Sequence, residues 1–253
     1  MIRWIFPVAG LLLLAAIVAP VIAVLVSMSP NDAVASFDAG AQAALRVSLA
    51  ASLSATAIAT LLGVPAGYWL AHARRGVRAV ALFLLALPLA FPPVASGLML
   101  IVLLGTNAPA GAWLAAHGLR VPDTLAGVTI AEFFVSGSFV TIAATAAFAA
   151  VEPVYVDAAR TLGAGEWRIF ARIALPAAAG NVLAGITFAW LRAIGEYGAT
   201  SVLAYHPTSL PVALYVSLSA AGVRQALALC YGFVVLAVVA LLVAWILRRR
   251  VVP

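Results

Sequence analysis

The chain alternates long apolar runs with short polar links, and the period of that alternation is set by a membrane. The run "WIFPVAGLLLLAAIVAPVIAVLVSM", from Trp4 to Met28, holds no charged residue. A helix rises about 1.5 Å per residue, so about 20 apolar residues cross a hydrocarbon layer about 30 Å thick. The pattern therefore predicts a first span at about 4–28, with further spans near Leu45–Ala71, Ala79–Leu104, Leu125–Ala150, Pro176–Leu203 and Ala226–Leu247. The first run has some marks of a cleaved leader, since Arg3 precedes it and "AVA" at Ala33–Ala35 resembles a cleavage site. Its apolar region exceeds the usual 7 to 15 residues or so, which favours a retained span. No link is long enough to fold as a soluble domain. Residues 1–253 are read as one membrane domain, with a core at about 45–247 and a polar loop at 152–176.

Composition removes the alternative that these runs are core helices of a soluble protein. The 253 residues are 66% hydrophobic and 9% charged, against about 25% charged in an ordinary soluble domain. The net charge of +6 would suit nucleic acid in a soluble protein, but every basic residue is Arg and their placement matters more than their sum. Basic residues are retained on the cytoplasmic side of short loops. With the N-terminus in the cytoplasm, Arg3, Arg74, Arg75, Arg78, Arg160, Arg168, Arg172, Arg248, Arg249 and Arg250 fall inside, while Arg46, Arg120 and Arg224 fall outside. The opposite topology inverts that bias. Cys230 is the single cysteine and lies in an apolar run, so no internal disulfide exists.

This orientation places the most polar long stretch, "DAARTLGAGEWRIFARIALP" from Asp157 to Pro176, in the cytoplasm. Val154, Tyr155, Ala158, Ala159 and Leu162 repeat at helical spacing, and Gly163 with Gly165 supplies a turn. A second helix is predicted to start at Glu166, with Trp167, Phe170, Ala171 and Ala174 on one face and Arg168 and Arg172 on another. Leu175 and Pro176 are expected to end it, because the residue before proline avoids the helical region. Such a knob suits insertion into a groove on a soluble partner; lying flat among lipid headgroups with its aromatics inserted is the other reading.

Within the spans, Pro88, Pro92 and Pro93 should break the third helix, either as a packing kink or as a bend lining a transport route. Arg192 and Glu196 lie one turn apart in the fifth span and Glu132 stands in the fourth. Charges at such depth normally face a bundle interior or a water-filled cavity, so these groups either tie helices together or line the path. Ser48, Ser52, Ser54, Thr56 and Thr60 recur along the second span, as small residues do at close helix contacts or along a hydroxyl-lined route. His72, His117 and His206 are scattered, no HExxH or paired cysteine occurs, and "VSGSF" at 135–139 lacks the surroundings of a nucleophile elbow. No catalytic or metal site is expected. No P-loop is present either, so any ATP hydrolysis would belong to another subunit.

The polar loop resembles the signature loop of ABC-importer permeases: Glu-Ala-Ala, three residues, Gly, nine residues, Ile, one residue, Leu-Pro. Here Asp157, Ala158, Ala159, Gly163, Ile173, Leu175 and Pro176 stand at matching intervals, with Asp in place of Glu. "LPLAFPPVASGLML", "EPVYVDAARTLGA", "LRAIGEYGAT" and "LPVALYV" are similar to permeases of molybdate, tungstate and sulfate importers. The resemblance implies an all-α bundle of about six transmembrane helices with the type I ABC-importer permease fold. It implies a coupling helix that docks on an ATP-binding subunit, with Arg168 or Arg172 facing that partner or anionic lipid. It further implies two cytoplasmic ABC ATPase subunits holding ATP and Mg, an extracytoplasmic substrate-binding protein, a second permease copy in a homodimer, and a bacterial or archaeal plasma membrane around them. The chain itself would bind no cofactor. Pro92, Pro93, Ser96, Arg192, Glu196 and Tyr197 are the candidate path or gate residues for an oxyanion, molybdate or tungstate foremost. Sulfate or another small solute is the alternative cargo, and an ATPase-independent carrier using Glu132 and Glu196 as proton relays is the alternative class.

Overall fold

The computed structural model describes residues 2–35 and 37–251, with side chains over 5–34 and 37–246. Arg3 and Arg248–Arg250, which weigh in the orientation, therefore lie outside the residues whose side chains are described, as does Ala35. Every element among the described residues is helical: α1 (Ile2–Ser27), α2 (Pro30–Ala35), α3 (Ala39–His72), α4 (Arg75–Ala90), α5 (Pro93–Leu104), α6 (Pro109–Ala116), α7 (Leu125–Ala149), α8 (Pro153–Thr161), α9 (Glu166–Ile169), α10 (Leu175–Ile194), α11 (Gly198–Leu203), α12 (Leu210–Ala221) and α13 (Val223–Val251). Five helices are long and apolar enough to cross a membrane, and six crossings result if the bent pair α4–α5 counts as one.

Local chemistry fixes several starts. Asp38 Oδ1 accepts the Ala41 N–H at 2.8 Å and Thr124 Oγ1 accepts the Gly127 N–H at 3.1 Å, capping α3 and α7. Pro93, Pro109 and Pro153 open their helices where a missing N–H costs nothing.

The heart of the bundle is the pairing of α3 with α7, which run parallel in matched register. A Cβ added to Gly63 would lie 2.7 Å from Thr141 Oγ1, and one added to Gly67 would lie 2.6 Å from Ala144 Cβ. The stretch Gly63–Gly67 is thus a small-xxx-small seam that brings two backbones together where lipid gives no hydrophobic drive for association. Helix α10 crosses behind, its Gly185 against Ala143. The hydroxyl stripe of α3 ties this arrangement: Trp190 Nε1 donates to Ser52 Oγ at 3.0 Å, and the Leu210 N–H donates to Ser48 Oγ at 2.8 Å. Ser48 and Ser52 are wholly buried and serve packing; Ser54 points outward. By contrast α1 buries nothing in its apolar window and α4 has no buried residue.

The third span breaks at its prolines as expected, α4 and α5 meeting at 108° across Phe91–Pro92. Three expectations are corrected. Pro88 sits inside α4 without ending it. The fifth span stops at Ile194 rather than Leu203, because Gly195–Tyr197 leave the helix and α11 starts anew. Finally, Leu175 and Pro176 do not close a helix. Leu175 has helical φ −65° and ψ −46°, and α9 continues into α10 through a wide turn at Phe170–Ala174 in which the Leu175 N–H donates to Phe170 O. That i→i−5 turn widens the helix just where the proline ring would otherwise collide with the preceding turn's carbonyl.

Candidate functional site

The loop after α7 folds as a compact helical knob. Within α8 the apolar positions divide into two sets. Val156 and Ala159 are buried against Ile169, with Ala164 and Ile173 beside them, so α8 and α9 share a small core of their own. Tyr155, Leu162 and Trp167 point away, at 57%, 88% and 76% exposure. Of the residues that recur at helical spacing in this helix, Ala159 packs inward while Tyr155 and Leu162 point outward.

Gly163 makes the turn between the two helices. Its φ is +77°, its N–H donates to Arg160 O at 3.0 Å, and the Ala164 N–H donates to Ala159 O at 3.0 Å. These are the two bonds of a Schellman motif, which requires a left-handed residue at that position. Nothing lies within 4 Å of where a Gly163 Cβ would sit, so the backbone angle and not crowding demands glycine. Across the turn, Arg160 holds Glu166 Oε1 at 3.1 Å through both Nε and Nη2, and reaches Asp157 Oδ1 at 3.6 Å. Asp157 is exposed, as are Ala158, Arg168, Arg172 and Pro176, while Leu175 and Ile173 are half-buried.

Aromatic contacts join the knob to the membrane bundle. Phe170, in the wide turn, lies 5.1 Å from the Tyr68 ring of α3 and 5.9 Å from the Phe148 ring of α7; Tyr68 and Phe148 are themselves 5.3 Å apart, edge to face. Trp167 leans on Phe170 from outside at 5.5 Å. α8 is thus in contact, through Ile169 and Phe170, with the two helices that share the glycine seam.

The other candidate residues gather where α5 and α11 meet. A Cβ on Gly97 would lie 2.7 Å from Val202 Cβ, and one on Gly198 would lie 2.7 Å from Pro93 Cβ, so two short helices following two breaks lie backbone to backbone. Arg192 Nη1 contacts Glu196 Oε2 at 2.6 Å, and Glu196 Oε1 accepts the Ala199 N–H at 2.7 Å. Glu196, 1% exposed, thus anchors Arg192 and caps the start of α11 at once. Arg192 remains about a third exposed. Tyr197 stacks on Tyr215 at 4.9 Å. Pro92 and Pro93 are exposed on the chain's surface, whereas Ser96 is wholly buried and its Oγ has no partner among the described residues. Glu132 is wholly buried, and among the described residues neither carboxyl oxygen has a hydrogen-bond partner.

Sequence reasoning missed the Arg160–Glu166 clamp and the Tyr68–Phe148–Phe170 cluster as parts of the loop. A six-residue separation across a turn has no periodic signature, and Tyr68 lies a hundred residues upstream of its partner. The GxxxG spacing at Gly63–Gly67 was the one visible signal for the seam.

An apolar multi-helix bundle with a helix-turn-helix knob packed on one end fits a transport permease, and the family comparison gives that class. The chain belongs to the family of binding-protein-dependent transport system inner membrane components, matched over residues 63–252. A probable molybdenum ABC transporter permease of Haloferax volcanii is 40% identical over 186 residues, covering 73% of this chain and 67% of the relative. A sulfate transport system permease of Synechocystis is 34% identical over 166 residues, covering 66% of this chain and 60% of the relative. Among solved structures, a bacterial ABC transporter for the acidic polysaccharide alginate superposes with a TM-score of 0.67 at 20% identity, covering 100% of this chain and 98% of the other.

Proposed function

We propose that this chain is the pore-forming subunit of an ATP-driven importer that carries an oxyanion, molybdate or tungstate foremost, into the cytoplasm of a bacterium or archaeon. The observation that carries the reading is the knob: a helix of its own, α8, braced by α9 and Arg160, presenting Tyr155, Leu162 and Trp167 exposed among the described residues. An ABC ATPase subunit would receive this edge in a groove, with Asp157, Ala158 and Arg168 at its rim. Two ATPase subunits hold the ATP and Mg, and this chain holds no nucleotide.

The pore lies between two copies of the chain. The bend at Phe91–Pro92 leaves Pro92 and Pro93 exposed on the surface of one copy, and carbonyls freed by proline at membrane depth need protein or water beside them. A second copy across a two-fold axis supplies both. Closure of the ATPases moves α8; Phe170 passes the displacement to α3 and α7; the breaks at 91–92 and 195–197 absorb it, so that the route opens to one side at a time. An external binding protein delivers cargo to the outer mouth. Arg192, partly neutralised by Glu196, attracts a dianion without holding it tightly, which conduction requires. No bond of the cargo changes.

Sulfate is the second cargo, on the strength of the Synechocystis relative. The test is reconstitution of the chain with its ATPase and binding protein, measuring ATP hydrolysis with each anion. Stimulation by molybdate and tungstate above sulfate is expected. Uptake by this chain alone, driven by a proton gradient, would refute the reading in favour of a carrier using Glu132 and Glu196.

A further inference from the structure

An apolar groove of about 530 Å³ opens on the side of the bundle between α3, α4 and α7. Leu62, Ala66, Trp69, Ala81, Leu84 and Phe133 are among the residues that line it. Along α3 it runs from Ala59 to Leu70, about 17 Å at 1.5 Å per residue, which is close to one leaflet of a hydrocarbon core about 30 Å thick. Its inner end lies at Trp69, 60% exposed as an interfacial aromatic should be. There α3 gives way to the link that carries Arg74, Arg75 and Arg78. Arg74 and Arg75 are exposed, and Arg78 is held at the groove's end by a 3.5 Å bond from its Nη1 to Ala71 O. None of the ion pairs among the described residues involves these three arginines.

We propose that this groove binds an anionic phospholipid of the cytoplasmic leaflet, its acyl chain along α3 and its phosphate at Arg74, Arg75 and Arg78. Two features select that occupant. The groove is one leaflet long and opens sideways, where only lipid tails or another protein can enter. Just beyond its Leu70 end, the link between α3 and α4 carries three positive charges that no ion pair among the described residues neutralises, and basic sites between helices on the cytoplasmic side favour anionic headgroups. The missing packing of α4 follows, since a helix that buries no residue in its own chain is held in place by the lipid lying along it.

The test is native mass spectrometry of the full chain in detergent, incubated with phosphatidylglycerol or with phosphatidylcholine of the same acyl chains. Phosphatidylglycerol should be retained about tenfold or more over phosphatidylcholine, and a variant carrying Arg74→Gln, Arg75→Gln and Arg78→Gln should lose that preference. Ala81→Phe, which fills the groove and leaves the arginines intact, should reduce retention of both lipids. Equal retention of the two lipids, an unchanged preference in the triple variant, or unchanged binding with Ala81→Phe would each overturn the proposal. So would displacement of the lipid by millimolar inorganic phosphate, which would assign the arginines to a free anion. A cross-link between two copies through Ala81→Cys, in a Cys230→Ala background, would place protein in the groove and overturn it as well.

Discussion

Replacing Gly163 isolates the mechanical role of the loop, because the structure separates two effects that a glycine substitution usually mixes. Its φ of +77° is costly for residues with a Cβ, yet nothing lies within 4 Å of the position the Cβ would take. The penalty for alanine is therefore conformational, about 1–2 kcal/mol. That corresponds to roughly a 5- to 30-fold shift away from the observed turn. Asparagine tolerates the left-handed region and should cost less; valine, branched at Cβ, should cost more. Insertion and thermal stability of the bundle should stay level across Gly163→Asn, Gly163→Ala and Gly163→Val, since the turn lies outside the packed helices. Transport-coupled ATP hydrolysis in proteoliposomes should fall in that order. If all three match the parent, the angle between α8 and α9 has no part in coupling. If asparagine is as harmful as valine, a clash with a docked partner and not backbone strain is responsible, and the argument from φ fails.

Phe170→Ala should destabilise the chain by about 3 kcal/mol, since it removes the ring shared by Tyr68 and Phe148; thermal unfolding in detergent reads this, and uptake should fall further than the loss of folded protein explains. Glu196→Ala should cost about 1–3 kcal/mol by leaving the Ala199 N–H and Arg192 without their acceptor. Glu196→Gln keeps a carbonyl for Ala199 and should cost less in the same melt; equal losses would deny the capping role. Gly67→Leu drives a side chain into Ala144 and the Thr145 backbone and should cost at least about 1–3 kcal/mol, with reduced accumulation of the folded chain in membranes.

Length and hydropathy made the major crossings legible. α1, α7 and α13 begin and end within a few residues of the apolar runs, because water on either side of the bilayer sets those limits. The breaks were harder. "LRAIGEYGATSVL" reads as a continuous apolar stretch with one ion pair, and only the contact of Gly198 with Pro93 shows why the helix must stop and restart. Likewise α2, α6, α11 and α12 are too short for a period to emerge from the sequence; neighbours hold them. Pro176 looked like a terminator because a local rule took precedence, whereas the wide turn that accommodates it is fixed by Phe170 packing on α3 and α7. In the loop, the resemblance to a family signature singled out Asp157, Gly163 and Pro176. It did not tell which of Val156 and Tyr155 faces outward, since both lie on an amphipathic helix whose inner surface is decided by Ile169.

The glycine seam bears on where motion can occur. With Gly63 and Gly67 pressed against Thr141 and Ala144, no layer of side chains separates α3 from α7 to act as a lubricant. The two helices must travel as a single plank, and sliding one past the other would require their main chains to part. Flexing is thereby banished from the middle of the protein to its two interruptions, at Phe91–Pro92 and at Gly195–Tyr197, so a spin label pair spanning the seam should keep a fixed separation through a cycle in which a pair spanning either interruption does not.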